Sequence, residues 1–183
     1  QIGEDMQLSA DKIGLVFSFS LAGMMLGAMF LAALSDVIGR RTMIIVTLLL
    51  VGTTVLLTAS VNSLPALILL RFISGLGAGA MLASVATLAS EYSPEKFRAL
   101  AVTAAGYPLG AMTTGLVASS VVPEFGWQGM FIAGGCTTLM LALIAFFLIP
   151  ESLYFLCKKQ PDDALQSVNN ILKIFNIRSL EQL

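Results

Sequence analysis

Histidine is absent from this chain, which removes hydrolases built on Ser-His or Cys-His pairs, along with His-ligated metal sites. Charge is scarce as well. Only 11% of residues are Asp, Glu, Lys or Arg, against 57% hydrophobic ones, whereas a soluble domain carries roughly 25% charged and ~45–50% apolar residues. So few charges cannot cover a water-soluble surface, and the surplus apolar area must face lipid. The formal net charge of −1 offers nothing to nucleic acid, which requires clustered excess Lys and Arg. Cysteine is limited to Cys136 and Cys157. They lie about 30 Å apart along a helix and its exit, too far to pair, and both read as packing residues. With no plausible base and no metal-ligand spacing, the composition points away from an enzyme and implies no cofactor.

What the chain does have is long apolar runs. Lys12–Leu34, Thr42–Ala59, Leu64–Ser90, Ala99–Val122 and Trp127–Ile149 each approach or exceed the roughly 20 residues a helix needs to cross a bilayer. None alternates as a barrel strand does, and backbone in lipid must satisfy its own hydrogen bonds. The expected fold class is therefore all-α, a polytopic membrane helix bundle of five transmembrane helices. Residues 1–150 form its membrane part, and residues 151–183 open a cytoplasmic segment.

The connections carry the orientation. Arg40, Arg41, Lys96, Arg98, Lys158, Lys159, Lys173 and Arg178 all fall on alternate connections, which an up-and-down bundle places on one side. Lys12 stands alone on the other. Basic residues collect on the cytoplasmic side, so these loops are expected inside the plasma (inner) membrane and the N-terminus outside. Gln1 to Asp11 lacks the basic region of a signal peptide, so an outside N-terminus implies a preceding span. Near the other end, the stretch from Pro161 to Phe175 places Leu165, Val168, Leu172 and Phe175 at helical spacing, with acids at its start and Lys173 near its end. It reads as an amphipathic linker helix packed on the protein, because a membrane-surface anchor would carry more Lys and Arg on its polar face.

Small residues mark where helices touch in lipid, since packing drives their association there. The first span offers Ser20, Gly23 and Gly27; the third Ser74, Gly75, Ala78 and Gly79; the fourth Thr103, Gly106, Gly110 and Thr114. Pro108 removes a backbone hydrogen bond in mid-span and is expected to bend the fourth helix, as a hinge or as a fixed shape. Arg71 is the sharpest residue. It lies six residues past Pro65, about 9 Å into a hydrocarbon core ~30 Å thick, where burying Arg costs on the order of 3 kcal/mol. That depth permits snorkelling to the outer surface. Its place on the third helix's small-residue stripe directs it into the bundle instead. No span has an Asp or Glu in its interior, so its counter-ion is expected to be an anionic substrate or a carboxylate from an upstream helix.

Ser35-Asp36-Val37-Ile38-Gly39-Arg40-Arg41 resembles the loop signature of the major facilitator superfamily, Gly-x-x-x-Asp-(Arg/Lys)-x-Gly-(Arg/Lys)-(Arg/Lys), with Ala32 and Val37 standing at two of its positions. Gly39 permits a tight turn, and Asp36, four residues before Arg40, can latch the helix ends. Leu70-Arg71-Phe72-Ile73-Ser74-Gly75-Leu76-Gly77-Ala78-Gly79 is similar to the superfamily's fourth-helix motif, whose Arg is associated with proton coupling. Glu91 and Arg98 match the charges that bracket its next cytoplasmic turn, and Pro150-Glu151-Ser152 resembles its sixth-helix exit. The resemblance implies the family's second to sixth helices, an N-terminal half without its first helix, with that helix and a C-terminal half as partners beside the bilayer and a small-molecule substrate.

Leu153-Tyr154-Phe155-Leu156 and the stretch after it look most like the aromatic acid/proton symporters. By that resemblance the chain is part of a proton-coupled symporter of small organic anions such as aromatic carboxylates, needing no cofactor beyond the proton gradient. Arg71 would serve substrate or proton coupling. Asp36, Gly39, Arg40, Arg41, Glu91, Arg98 and Glu151 would form a cytoplasmic gate. Transport of sugars, other metabolites or drugs by the same superfamily, and a non-transporting membrane sensor, are the alternatives.

Overall fold

In the computed structural model, described residues are 9–92, 96–152, 155–156 and 164–174, with side chains described for all of these except 96–100, 102, 167, 170, 173 and 174. The described secondary structure is helical throughout. Helix α1 is Ala10–Ile38 and includes a π-helical turn, Gly27–Leu31. Helix α2 is Arg40–Thr58, α3 is Leu64–Tyr92, α4 is Lys96–Leu148 and α5 is Ala164–Ile174. Among the described residues, α1, α2, α3 and the stretch Thr103–Leu148 of α4 are long and apolar enough to span a membrane. The chain is a multi-pass membrane bundle.

The fourth and fifth of the five expected spans follow each other directly in α4, as two helices that meet at a kink. The helix runs on through Pro108 and Pro123 and breaks at Gly126, whose φ of 67° and ψ of −174° lie outside helical space. A φ this positive suits glycine, which has no Cβ to clash. Gly126 thus does the work assigned to the whole Pro123–Gly126 connection and divides α4 into a first arm, 96–125, and a second arm, 127–148. Pro108 leaves the helix continuous, and the large departure from helical geometry falls at Gly126.

Several threonine hydroxyls inside the spans are satisfied by their own helix. Thr47 donates to the Met43 carbonyl at 2.8 Å, Thr54 to Leu50 at 2.7 Å and Thr58 to Thr54 at 2.8 Å. Back-bonding of this kind lets threonine sit in a spanning helix without an orphaned polar group.

Helix α3 lies against both α1 and α2, and α2 also meets the second arm of α4. Glycine sets the closest approach. Gly75 abuts the Ser20 carbonyl and Gly79 that of Met24, while Gly23 and Gly27 press on the backbone of Phe72 and Leu76. Partner numbers rise together along this contact, so α1 and α3 run in the same direction. Gly52 lies against Leu139 and Gly135 against Leu56, an antiparallel pairing of α2 with the second arm. The fourth-span stripe differs. An added Cβ at Gly106 or Gly110 would meet nothing within 4 Å, and Tyr107, Met112 and Leu116 on the same arm are 66, 69 and 71% exposed. These two glycines make no close contact among the described residues.

Helix α5 packs on the protein through Ala164, Val168 and Ile171, which bury with Leu156 beside Tyr92 and Leu172. The buried face is rotated from the expected one. Leu172 lies at its edge, Leu165 is only half-buried, and Phe175 falls outside the described residues. The buried seam runs 164–168–171, against Leu156.

Candidate functional site

Two polar sites stand out in this apolar bundle. The first gathers helix ends at the end of the bundle that carries most of the basic residues. At Gly39, φ of 99° and ψ of 142° reverse the chain between α1 and α2; side chains bearing a Cβ rarely adopt that conformation. The turn brings Arg40 inside, 9% exposed. Its Nη2 donates to Asp36 Oδ1 at 3.1 Å, and its Nη1 pairs with Glu91 Oε1 from the end of α3. These two ion pairs differ in kind. The Asp36 side chain is 57% exposed and the Glu91 side chain 18%, so Arg40–Asp36 belongs to the solvated rim, where pairs contribute about 0–1 kcal/mol. Arg40–Glu91 is enclosed, and removing one partner of such a pair costs about 3–5 kcal/mol because the other charge is left buried and alone.

Glu151 supplies the third corner. Its Oε1 accepts the backbone N–H groups of Arg41 at 3.1 Å and of Ser152 at 2.9 Å, which sets a carboxylate at the positive N-terminal end of α2. Arg41 returns the favour to α4: its Nη2 donates to the Phe146 carbonyl at 2.6 Å, near the negative C-terminal end of that helix, and its guanidinium lies 5.5 Å from the centre of the Phe146 ring. Tyr92 donates its hydroxyl to the Glu151 carbonyl at 2.6 Å. Ser152, fully buried, donates to Glu91 Oε2 at 2.6 Å and accepts the Phe155 N–H at 3.2 Å. The structure thus brings together Asp36, Gly39, Arg40, Arg41, Glu91 and Glu151. The side chain of Arg98 lies outside the described residues.

The second site is Arg71, two turns into α3. Its guanidinium carbon sits 4.4 Å from the centre of the Phe131 ring on the second arm of α4. Its Nη2 is enclosed and has no hydrogen-bond acceptor among the described residues. The stripe assigned to Arg71 from the sequence is split by the fold: Gly75 and Gly79 face α1, whereas Arg71 faces the second arm of α4. Trp127, 6% exposed, meets Phe131 edge-on, with centroids 5.9 Å apart and planes at 78°. Between α1, α3 and the first arm of α4 lies an open apolar groove of about 470 Å³, lined by Met24, Leu82, Ala86, Thr103, Ala104 and Tyr107.

Phe131 and Ser152 carry contacts that the sequence did not single out. Phe131 is one of 11 phenylalanines, and nothing local separates it from the others. Ser152 stands three residues before Phe155 at the start of the next helical turn, a position that suits an N-capping hydroxyl, and that was the available signal.

The profile of the Major Facilitator Superfamily matches residues 1–169. The chain is 36% identical over 160 residues to the 4-hydroxybenzoate transporter PcaK of Acinetobacter baylyi, an alignment covering 86% of this chain and 35% of that protein. It is 32% identical over 162 residues to the benzoate transport protein of the same organism, covering 85% and 34%. The chain therefore spans about a third of the length of these curated relatives. Among solved structures, the proton:xylose symporter XylE superposes with a TM-score of 0.75 at 18% identity, over 88% of this chain and 40% of that one.

Proposed function

Given that the chain belongs to the major facilitator superfamily, we propose that it forms part of a secondary transporter for small organic anions, aromatic carboxylates first among them, coupled to the proton gradient. One observation carries the substrate class. Arg71 is a cation within a spanning helix, no span contains an Asp or Glu in its interior, and its enclosed Nη2 has no acceptor among the described residues. A guanidinium in that setting favours a carboxylate, which it can hold by two parallel hydrogen bonds. The names of the relatives, transporters of 4-hydroxybenzoate and benzoate, support the same class.

Asp36, Gly39, Arg40, Arg41, Glu91, Arg98 and Glu151 act as the cytoplasmic gate, holding the ends of α1, α2, α3 and α4 together in one phase of alternating access and releasing them in the other. The basic connections face the cytoplasm across the inner membrane, and the outer end of Arg71's helix is reached from the other side. An upstream helix and a C-terminal half complete the translocation path.

The test is uptake of radiolabelled 4-hydroxybenzoate into liposomes holding the purified full-length transporter that contains this chain, with the proton gradient directed inward. Accumulation above equilibrium, abolished by a protonophore and lost in Arg71→Ala, is expected. Binding without flux would identify a sensor and sink the transport reading. Accumulation indifferent to the protonophore would remove the proton coupling. For orientation, Asn62→Cys should react with an impermeant maleimide added outside intact cells and Lys158→Cys should not.

A further inference from the structure

We infer that Phe131 is a positioning residue for Arg71: it grips the guanidinium by the ring face and leaves the in-plane N–H donors for a carboxylate. This assignment rests on the anion-binding reading of Arg71 given above, and it concerns how that cation is kept ready.

The reasoning begins with what an arginine in a spanning helix needs. A charge in the hydrocarbon region is costly unless something compensates for it, and the usual compensation is a resident carboxylate. A carboxylate occupies two of the guanidinium donors and neutralises the charge, so a substrate anion would then have to compete with it. An aromatic ring compensates differently. Its negative face attracts the cation while making no hydrogen bond, and a planar guanidinium offers its donors around the edge, away from the ring.

Three features of the fold fit this arrangement. Arg71 lies 4.4 Å from the Phe131 centroid, well inside the roughly 6 Å range of a cation–π contact. Arg71 Nη2 has no acceptor among the described residues. Phe131 is itself backed by the buried Trp127, edge to face, a favoured aromatic geometry that restrains the ring. The ring also comes from α4 while the cation comes from α3, so the contact ties the cation's position to the packing of two helices. Phe131 sits four residues after Trp127, one helical turn, which stacks both rings on one face of the second arm.

Initial rates of 4-hydroxybenzoate uptake in liposomes, fitted for KM and Vmax, test the role. Phe131→Leu keeps an apolar side chain and removes the ring. It should raise KM about tenfold with Vmax within about twofold, the change expected from losing a desolvated cation–π contact. Phe131→Tyr keeps a ring face and should restore a KM near that of the native protein. An unchanged KM in Phe131→Leu overturns the assignment, and so does a Phe131→Tyr variant as weak as Phe131→Leu, which would reduce the ring to bulk. If Arg71→Ala abolishes uptake while Phe131→Leu keeps the native KM, the positioning role alone fails. If Arg71→Ala keeps the native KM, the reading of Arg71 fails and the positioning role goes with it. A thermal double-mutant cycle decides the contact without any substrate: Phe131→Leu should lower Tm less on an Arg71→Ala background than on the native one, and strictly additive shifts overturn the assignment.

Discussion

Replacing Gly39 by alanine places a methyl group where two separate costs meet. The backbone there has φ of 99° and ψ of 142°, a region nearly confined to glycine, and holding another residue in it costs on the order of 1–3 kcal/mol. The new Cβ would also lie 2.7 Å from Glu151 Oε2 and 3.1 Å from its Cδ, so the carboxylate must move. Its Oε1 holds the N–H groups of Arg41 and Ser152 at 3.1 and 2.9 Å, and losing one hydrogen bond to a charged group costs about 1.5–3 kcal/mol. Together these give a destabilisation of about 2.5–6 kcal/mol, which at ~2–4 °C per kcal/mol for a chain of this size is a Tm lower by roughly 5–24 °C. The assay is thermal unfolding of the detergent-solubilised protein. On a Glu151→Ala background the clash and both hydrogen bonds are already gone, so the same Gly39→Ala change should cost only the backbone share, about 1–3 kcal/mol. Equal costs on the two backgrounds would refute the collision with Glu151. A Tm unchanged on both would refute the backbone cost as well.

Asp36→Asn should slow transport in liposomes while leaving equilibrium substrate binding nearly intact, because Asp36 holds only the rim of the Arg40 cluster; a native rate would remove it from the gate. Ser152→Ala deletes a fully buried hydroxyl that bonds Glu91, and thermal unfolding should register a loss of about 1.5–3 kcal/mol, with a loss under about 0.5 kcal/mol counting against that bond. Gly79→Ala and Gly106→Ala should part ways in the same assay. An added Cβ at Gly79 runs into the Met24 backbone whereas one at Gly106 meets nothing within 4 Å, so the first should cost about 1–3 kcal/mol and the second should be neutral or stabilising by up to about 1 kcal/mol. Similar losses at both sites would overturn the assignment of the close contact to α1 and α3.

The membrane bundle was legible in the residues because lipid removes alternatives: an apolar run near twenty residues long has little choice but to become a spanning helix. Gly39 was legible for a similar reason, since a glycine between an acid and two arginines at a helix exit has few other uses. Gly75 and Gly79 were found as a stripe because helical spacing puts them on one face. The same spacing named Gly106 and Gly110, which meet nothing among the described residues, because periodicity says which residues share a face and not which helix lies against it. The seam of α5 slipped for the same cause: spacing chose the large residues, and the fold chose the small Ala164.

Composition and charge order alone settled that this chain threads a bilayer several times, where its helices begin and end to within a few residues, and that Arg71 is the charge needing an explanation. Only the tertiary structure decided what that charge rests on, which of the Arg40 pairs is enclosed, and that Ser152 joins them. Each of those depends on residues far apart in the chain and close in space, such as Arg71 with Phe131 or Glu91 with Ser152. A contact of that kind leaves no local periodicity behind, since its geometry is set by how whole helices pack.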